Sequence, residues 1–395
     1  MPVVTGHNPD CTQWPTAVGQ SFFSGGTLKK SLRTIKRGTG LSAAMLGASA
    51  LVLAGCGAPP AETEGSAGAE GADYLGCIVS DSGGFDDRSF NQSSYEGLKM
   101  AEEDLGIKIQ QAESQAETDF VPNVDEMVQS GCDMVLTVGF LLGDVTKEAA
   151  KANPETNFAI VDYSDPEFTD NVKPIVYDTA QAAFMAGYLA AGVTETGKVA
   201  TYGGIQIPTV TIFMDGFADG VKYYNEQKGE DVQLLGWNKE RQNGTFVGNF
   251  EDQGKGKTNT QNFINEGADI IMPVAGPVGL GTLDAVIEAN EGGKEAKVVW
   301  VDSDGYESAG KGEEFILTSV MKGMAASVED VIRTDLEGNF DSTPYVGTLE
   351  NEGVSLAPFH DQEANVPDEL KQELETIKES IISGEITVES EASPK

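Results

Sequence analysis

The sequence predicts an α/β protein made of two doubly wound lobes with a ligand cleft between them. Three observations predict it. Short apolar runs alternate with helix-period stretches from residue 74 onward, a second and similar set starts at residue 179, and several apolar runs end in a carboxylate just where a helix is due to begin. At 395 residues the chain is too long for one compact core and suits two lobes of ordinary size.

The elements follow in order. Strand-like runs stand at 74–80, 107–112, 133–138, 157–162 and 172–177, with helical stretches near 89–104, 121–130 and 141–152 between them. A helix at 179–193, TAQAAFMAGYLAAGV, opens the second set. Strands at 198–203, 231–237, 268–274 and 296–302 follow, with helices near 210–226, 258–266 and 280–290. The run FILTSV at 315–320 leads into a helix near 322–336 that is expected to cross back to the first lobe. The tail after 339 holds one clear helix, 366–383. The expected organisation is lobe 1 from 73–178 plus 321–338, and lobe 2 from 179–320 plus 339–395. No internal repeat of solenoid length is present.

The N-terminus reads as a targeting segment, residues 1–55. Lys29, Lys30, Arg33, Lys36 and Arg37 form a basic region ahead of a small-residue and apolar stretch, 38–53, that is too short to span a membrane. The sequence then runs Leu53-Ala54-Gly55-Cys56, and residues 57–72, rich in Gly, Ala, Pro and Glu, read as a flexible tether. Residues 1–28, ahead of the basic region, look like an over-long start. The formal net charge is −37, and the leader holds five of the 26 basic residues but one of the 63 acidic ones. So acidic a body repels phosphate backbones, and nucleic acid is not an expected partner.

Two cysteines follow the tether, Cys77 and Cys132. With Cys77 near the end of one strand and Cys132 at the start of a neighbouring parallel one, the offset is too long for a disulfide, and both are expected as free core thiols. One histidine after the leader, His360, and no CxxC pair argue against a zinc site. No cofactor is expected. Gly254–Thr258 imitates the end of a phosphate-binding loop, but Glu251 stands where its first glycine belongs. Gly276, Gly279 and Gly281 miss the spacing of a dinucleotide fingerprint, and Asp302–Gly305 misses that of a calcium loop.

The richest stretch is 74–98, YLGCIVSDSGGFDDRSFNQSSYEGL: an apolar strand, a polar loop with Gly83 and Gly84, then a helix start. Open α/β sheets bind ligands at such places, beyond the carboxyl ends of strands and beside unpaired helix amides. Asp81, Ser82, Asn91 and Gln92 can hydrogen-bond a polar ligand there, and Phe90 can lie flat on a ring. Asp162 ends the run FAIVD and Asp302 ends VVWVD, so three acids leave buried strands for one crevice.

The run from Asp81 to Gln92, DSGGFDDRSFNQ, resembles the signature of the basic membrane protein family of lipoproteins, nucleoside-binding components of ABC transporters. The resemblance extends over about 74–385 and recurs at Val161-Asp162, Phe213–Phe217, Val274–Gly276, Val301–Asp304 and Thr318–Lys322. It implies a type I periplasmic-binding-protein fold closing on a nucleoside, with no enzymatic activity. It implies that Phe90 and Phe213 sandwich the base and that Asn91 and Asp162 bond its edge. Asp302 would take the ribose hydroxyls, Lys322 would donate to the sugar and offset the carboxylates, and Asp81 with the Gly276 backbone would complete the sugar contacts. Leu53–Cys56 resembles a lipobox, which implies a diacylated Cys56 as the mature N-terminus, anchored outside the cell membrane. An ABC permease is the implied partner, and a monomer is expected. Phe85 and Pro277 depart from the family pattern. The competing readings are the same fold taking a sugar or signalling molecule, a nucleoside hydrolase, and an adhesin.

Overall fold

The computed structural model describes residues 71–394. The leader, Cys56 and most of the tether lie outside the described residues. The first α/β set comprises β1 (Leu75–Ser80), α1 (Phe90–Leu105), β2 (Lys108–Ala112), α2 (Phe120–Gln129), β3 (Met134–Val138), α3 (Gly143–Ala152), β4 (Asn157–Val161) and β5 (Val172–Tyr177). The second begins with α4 (Thr179–Val193), β6 (Lys198–Gly203), α5 (Pro208–Lys228), β7 (Gln233–Leu235) and a small ribbon, β8 (Trp237–Asn238) with β9 (Asn243–Gly244). It continues with α6 (Gln253–Glu266), β10 (Ile270–Val274), α7 (Gly279–Glu291), β11 (Lys297–Asp302), the single turn α8 (Gly305–Ser308) and β12 (Ile316–Lys322). The chain closes with α9 (Met324–Leu336), β13 (Tyr345–Gly347), β14 (Val354–Leu356) and α10 (Asp368–Ile382).

Two six-stranded sheets result, ordered β13-β5-β4-β3-β1-β2 and β14-β12-β11-β10-β6-β7. Pairing is parallel throughout except where β14 meets β12. Both sheets therefore reverse strand order at equivalent places, β1/β3 and β6/β10, which is where α/β folds open a crevice. The inner strands are Val/Ile-rich because helices cover both faces; β3 and β10 are buried at every position. α4, expected from its apolar run, is buried nearly all round and packs on α5.

Three crossings join the sheets: Tyr177 to Thr179, Lys322 to Met324, and Gly347 to Val354. They are bonded to one another. Asp178 N–H donates to Gly347 O at 2.8 Å, Gly323 N–H to Gly353 O at 2.9 Å, and Leu349 N–H to Gln181 Oε1 at 2.9 Å. A Cβ on Gly353 would stand 2.3 Å from Gly347 Cα, so the third crossing folds tightly on itself, backbone to backbone.

The structure differs from expectation in four places. The strand expected over 231–237 is interrupted at Gly236 (φ 85°), giving β7 and β8. α6 starts at Gln253, with Asp252 accepting from Lys255 N–H at 2.9 Å, so the GKGKT run lies inside a capped helix. β13 joins the first sheet, so the tail after 339 does not stay with the second.

Cys77 and Cys132 form a disulfide, with Cα atoms 5.9 Å apart, and are not free thiols. The offset argument fails because Cys132 stands before β3, in the turn that ends α2. There the chain folds over the sheet face, so strand register does not measure the separation.

Candidate ligand-binding site

The site is assembled where the strands of both sheets end. Asp81 follows β1, Gly139 follows β3, Asp162 follows β4, Gly276 follows β10, and Asp302 and Lys322 end β11 and β12. Asp162 and Asp302 both take left-handed backbone conformations, φ 64° and 70°. Aspartate tolerates this region better than most residues, and such strain is concentrated at ligand sites. Each turn aims its carboxylate out of the sheet toward the other lobe.

Asp81, Ser82, Phe90, Asn91, Asp162, Phe213, Gly276 and Asp302 line one cavity between the lobes. Lys322 does not line it but stands beside it, on the wall of an adjoining hollow. Its Nζ bonds Asp162 and lies 3.2 Å from Asp302 Oδ1, so one ammonium bridges the acids of the two lobes. It also sits 4.9 Å from the ring centre of Phe90 and 5.1 Å from that of Phe213, which makes both rings neighbours of one space. Gln92 turns away to bond Glu96 at 2.9 Å.

Lobe contact is direct. Ser89 Oγ lies 3.0 Å from Asp302 Oδ2 and 3.1 Å from the Val301 carbonyl, and its hydroxyl donates across the cleft. Ser303 Oγ donates to Arg88 O at 3.2 Å.

Asp87, not singled out from the sequence, organises this loop. Its carboxylate accepts backbone N–H bonds from Ser89, Asn91 and Gln92 at 3.0, 2.8 and 3.0 Å, capping α1 from two residues upstream of the usual position. The signal was present as an acid three residues before Phe90. Phe140 and Phe250, also unassigned, line the cavity; Phe140 opens a short 3-10 turn after β3 and Phe250 lies in the loop before α6, and no periodicity gives the course of either. Of the two departures from the family pattern, Phe85 packs on Tyr95 with ring centres 4.8 Å apart and stays off the cavity wall, whereas Pro277 lines it.

The electrostatics favour a neutral ligand rich in donors. Burial pushes Asp81 well above the usual carboxylate range, opposed by the Asn91 amide and reinforced by Asp87 and Asp162. Burial carries Asp87 up to about 6 against its three N–H bonds. Burial also raises Asp162, with Lys322 pulling it down. Burial lowers Lys322, but Asp162 and Asp302 outweigh it and keep the ammonium charged. Four carboxyl groups therefore face one cation, and a phosphate would meet repulsion.

Asn91 Nδ2 is spent on Asp81 Oδ1 (3.2 Å) and Ser82 O (3.1 Å), while Asn91 Oδ1 is buried without a hydrogen-bond partner and Asp302 Oδ1 has only the Lys322 ammonium, 3.2 Å away. A buried acceptor left open in this way calls for a ligand N–H or O–H donor. His360, in the tail, bonds Asp304 Oδ2 at 2.7 Å and stacks on Tyr306, outside the cavity. Among the described residues no cluster suits a metal ion, and no helix is long and apolar enough to cross a membrane.

Comparison with known proteins agrees with this geometry. The chain is 33% identical over 369 residues to the ABC transporter nucleoside-binding protein BmpA of Lactococcus lactis, covering 90% of this chain and 99% of that one. It is 28% identical to basic membrane protein A of Borreliella burgdorferi, over 78% of this chain and 86% of the relative. Among solved structures, an ABC transporter solute-binding protein from Aeropyrum pernix superposes with a TM-score of 0.72 at 26% identity, over 80% of this chain and 92% of the other. The architecture is thus the two-lobe type I periplasmic-binding-protein fold. The Bmp family model, described as ABC transporter substrate-binding protein PnrA-like, matches residues 76–392, and the chain belongs to that family.

Proposed function

We propose that the protein captures nucleosides, purine nucleosides among them, outside the cell membrane and hands them to the permease of an ABC importer. The observation that carries the reading is the pairing of two aromatic faces, Phe90 and Phe213, with the open buried acceptor Asn91 Oδ1 and the Asp302 carboxylate around one cavity. A nucleoside offers a flat ring for the first pair and donors for the second. In this reading Asp162 meets the base edge, Asp302 and Asp81 hold ribose hydroxyls, and Ser82 and the Gly276 backbone close the sugar side. Phe90 and Asp162 come from one lobe and Phe213 and Asp302 from the other, so the ligand itself bridges the closed state. Cys56 carries the lipid that keeps the protein at the membrane; the Leu53–Cys56 run supports this.

Calorimetry with inosine, adenosine, cytidine, ribose and inosine monophosphate tests the assignment. Nucleosides should bind, ribose should bind far more weakly for want of the stacked ring, and the monophosphate should be rejected by the carboxylates. Tighter binding of ribose than of any nucleoside would refute it in favour of a sugar ligand. Release of free base on incubation would mark an enzyme instead.

A further inference from the structure

Beyond Phe140, Asp162 and Thr209, the cavity adjoins a second and larger hollow. Its walls include Tyr163, Tyr177 and Pro208, and Lys322 stands on the boundary. Tyr163 packs edge-on against Phe140 with centres 5.1 Å apart, and the Tyr177 hydroxyl is consumed by Ser327 Oγ at 2.5 Å. Both tyrosines therefore present chiefly ring surface. The formal charges at the boundary, Asp162 and Lys322, neutralise each other.

One polar atom there is unspent. Thr179 Oγ1, in a residue fully buried at the start of α4, has no hydrogen-bond partner although Thr179 lines the hollow.

The roof is Ala392, Ser393 and Pro394 of the C-terminal tail. The tail is held by Ser390 Oγ donating to Asp215 Oδ2 at 2.7 Å and Ser393 Oγ donating to Asp178 Oδ1 at 3.1 Å.

We infer that this hollow is a second compartment of the binding site and takes an uncharged alkyl or aryl substituent on the base of the bound nucleoside. The inference rests on the nucleoside reading, in which Asp162 meets the base edge. Because Asp162 lies on both cavities, a group projecting from that edge enters the hollow. Aromatic and proline walls suit an apolar group, and the neutralised boundary disfavours a charged one.

Calorimetry of the full mature chain with adenosine and N6-benzyladenosine tests it, using wild type and Ala392→Trp. The substitution fills the hollow from its roof, away from the contacts proposed for the nucleoside. Wild type should bind the benzyl compound at least as tightly as adenosine. In Ala392→Trp the benzyl compound should lose about tenfold or more in affinity, as overpacking predicts, while adenosine binding stays unchanged and reports a folded protein. Wild type that binds adenosine but rejects the benzyl compound overturns the compartment and leaves the nucleoside reading standing. Equal losses for both ligands in Ala392→Trp, or none for either, also overturn it. Binding of neither compound by wild type overturns both.

Discussion

Replacing Lys322 by methionine should do more damage than any other single change in the cleft. The side chains of Lys322, Asp162 and Asp302 are only 4, 7 and 8% exposed, so methionine leaves two buried carboxylates facing each other with no cation. Breaking a buried pair by removing one partner costs about 3–5 kcal/mol, because the remaining charge loses its compensation. For cooperative unfolding of about 320 residues, that corresponds to a fall in Tm of about 4–7 °C.

The loss depends on pH in a stated direction. Without the ammonium, the folded-state pKa of Asp162, already raised by burial, rises further above its unfolded value of about 4. A group so raised favours the folded state below the unfolded pKa, and that advantage disappears as pH rises through the folded one. The deficit should therefore be small near about pH 4 and full at neutrality. Thermal unfolding followed by circular dichroism across that range measures it, and adding Asp162→Asn with Asp302→Asn should restore most of the loss. A Lys322→Met variant as stable as wild type at neutral pH, or one whose deficit grows on acidification, would falsify the bridging role.

Gly139 has φ 113°, and a Cβ there would stand 1.9 Å from Asp81 Oδ2, so Gly139→Ala should displace that carboxyl. Nucleoside affinity by calorimetry should fall about tenfold or more, with about 1–3 kcal/mol of stability lost; unchanged affinity would remove Asp81 from the ligand's contacts. The Cys77–Cys132 bridge closes a loop of 55-residue separation, for which chain entropy predicts about 4 kcal/mol as an upper figure. Alkylation of oxidised, denatured protein should label neither cysteine, and urea unfolding of the Cys77→Ala/Cys132→Ala variant should show a loss of about 2–4 kcal/mol. Cys56→Ser expressed in the native host should move the protein from the membrane to the soluble fraction; continued membrane association would exclude the lipid anchor.

Much of the fold was legible because buried parallel strands announce themselves as β-branched runs, and α4 runs from 179 to 193 as its apolar sequence indicates. Site acids at strand ends were legible for the same reason: Asp162 and Asp302 stop two such runs, and both meet in the cleft. Residues whose role is set by loop course were not. Asp87 becomes a helix cap only because the loop from Asp81 to Ser89 doubles back over α1. Phe140 and Phe250 reach the cavity from turns. The disulfide was misread because a register argument assumes extended chain at both cysteines, and Cys132 stands in a turn. β13 is three residues long, too short to declare which sheet it joins.

The three bonded crossings set how the molecule can move. Segments tied side by side through Asp178–Gly347 and Gly323–Gly353 behave as a ribbon, which flexes across its width but resists sliding or torsion. Opening should therefore be a clamshell rotation about a line through these residues, and solution scattering of the ligand-free protein fitted by such a rotation would check it. Lys322 immediately precedes Gly323 in that ribbon. Flexing the ribbon thus pulls the ammonium away from one of its two carboxylates, so that charge separation in the cleft and release of the cargo become one motion.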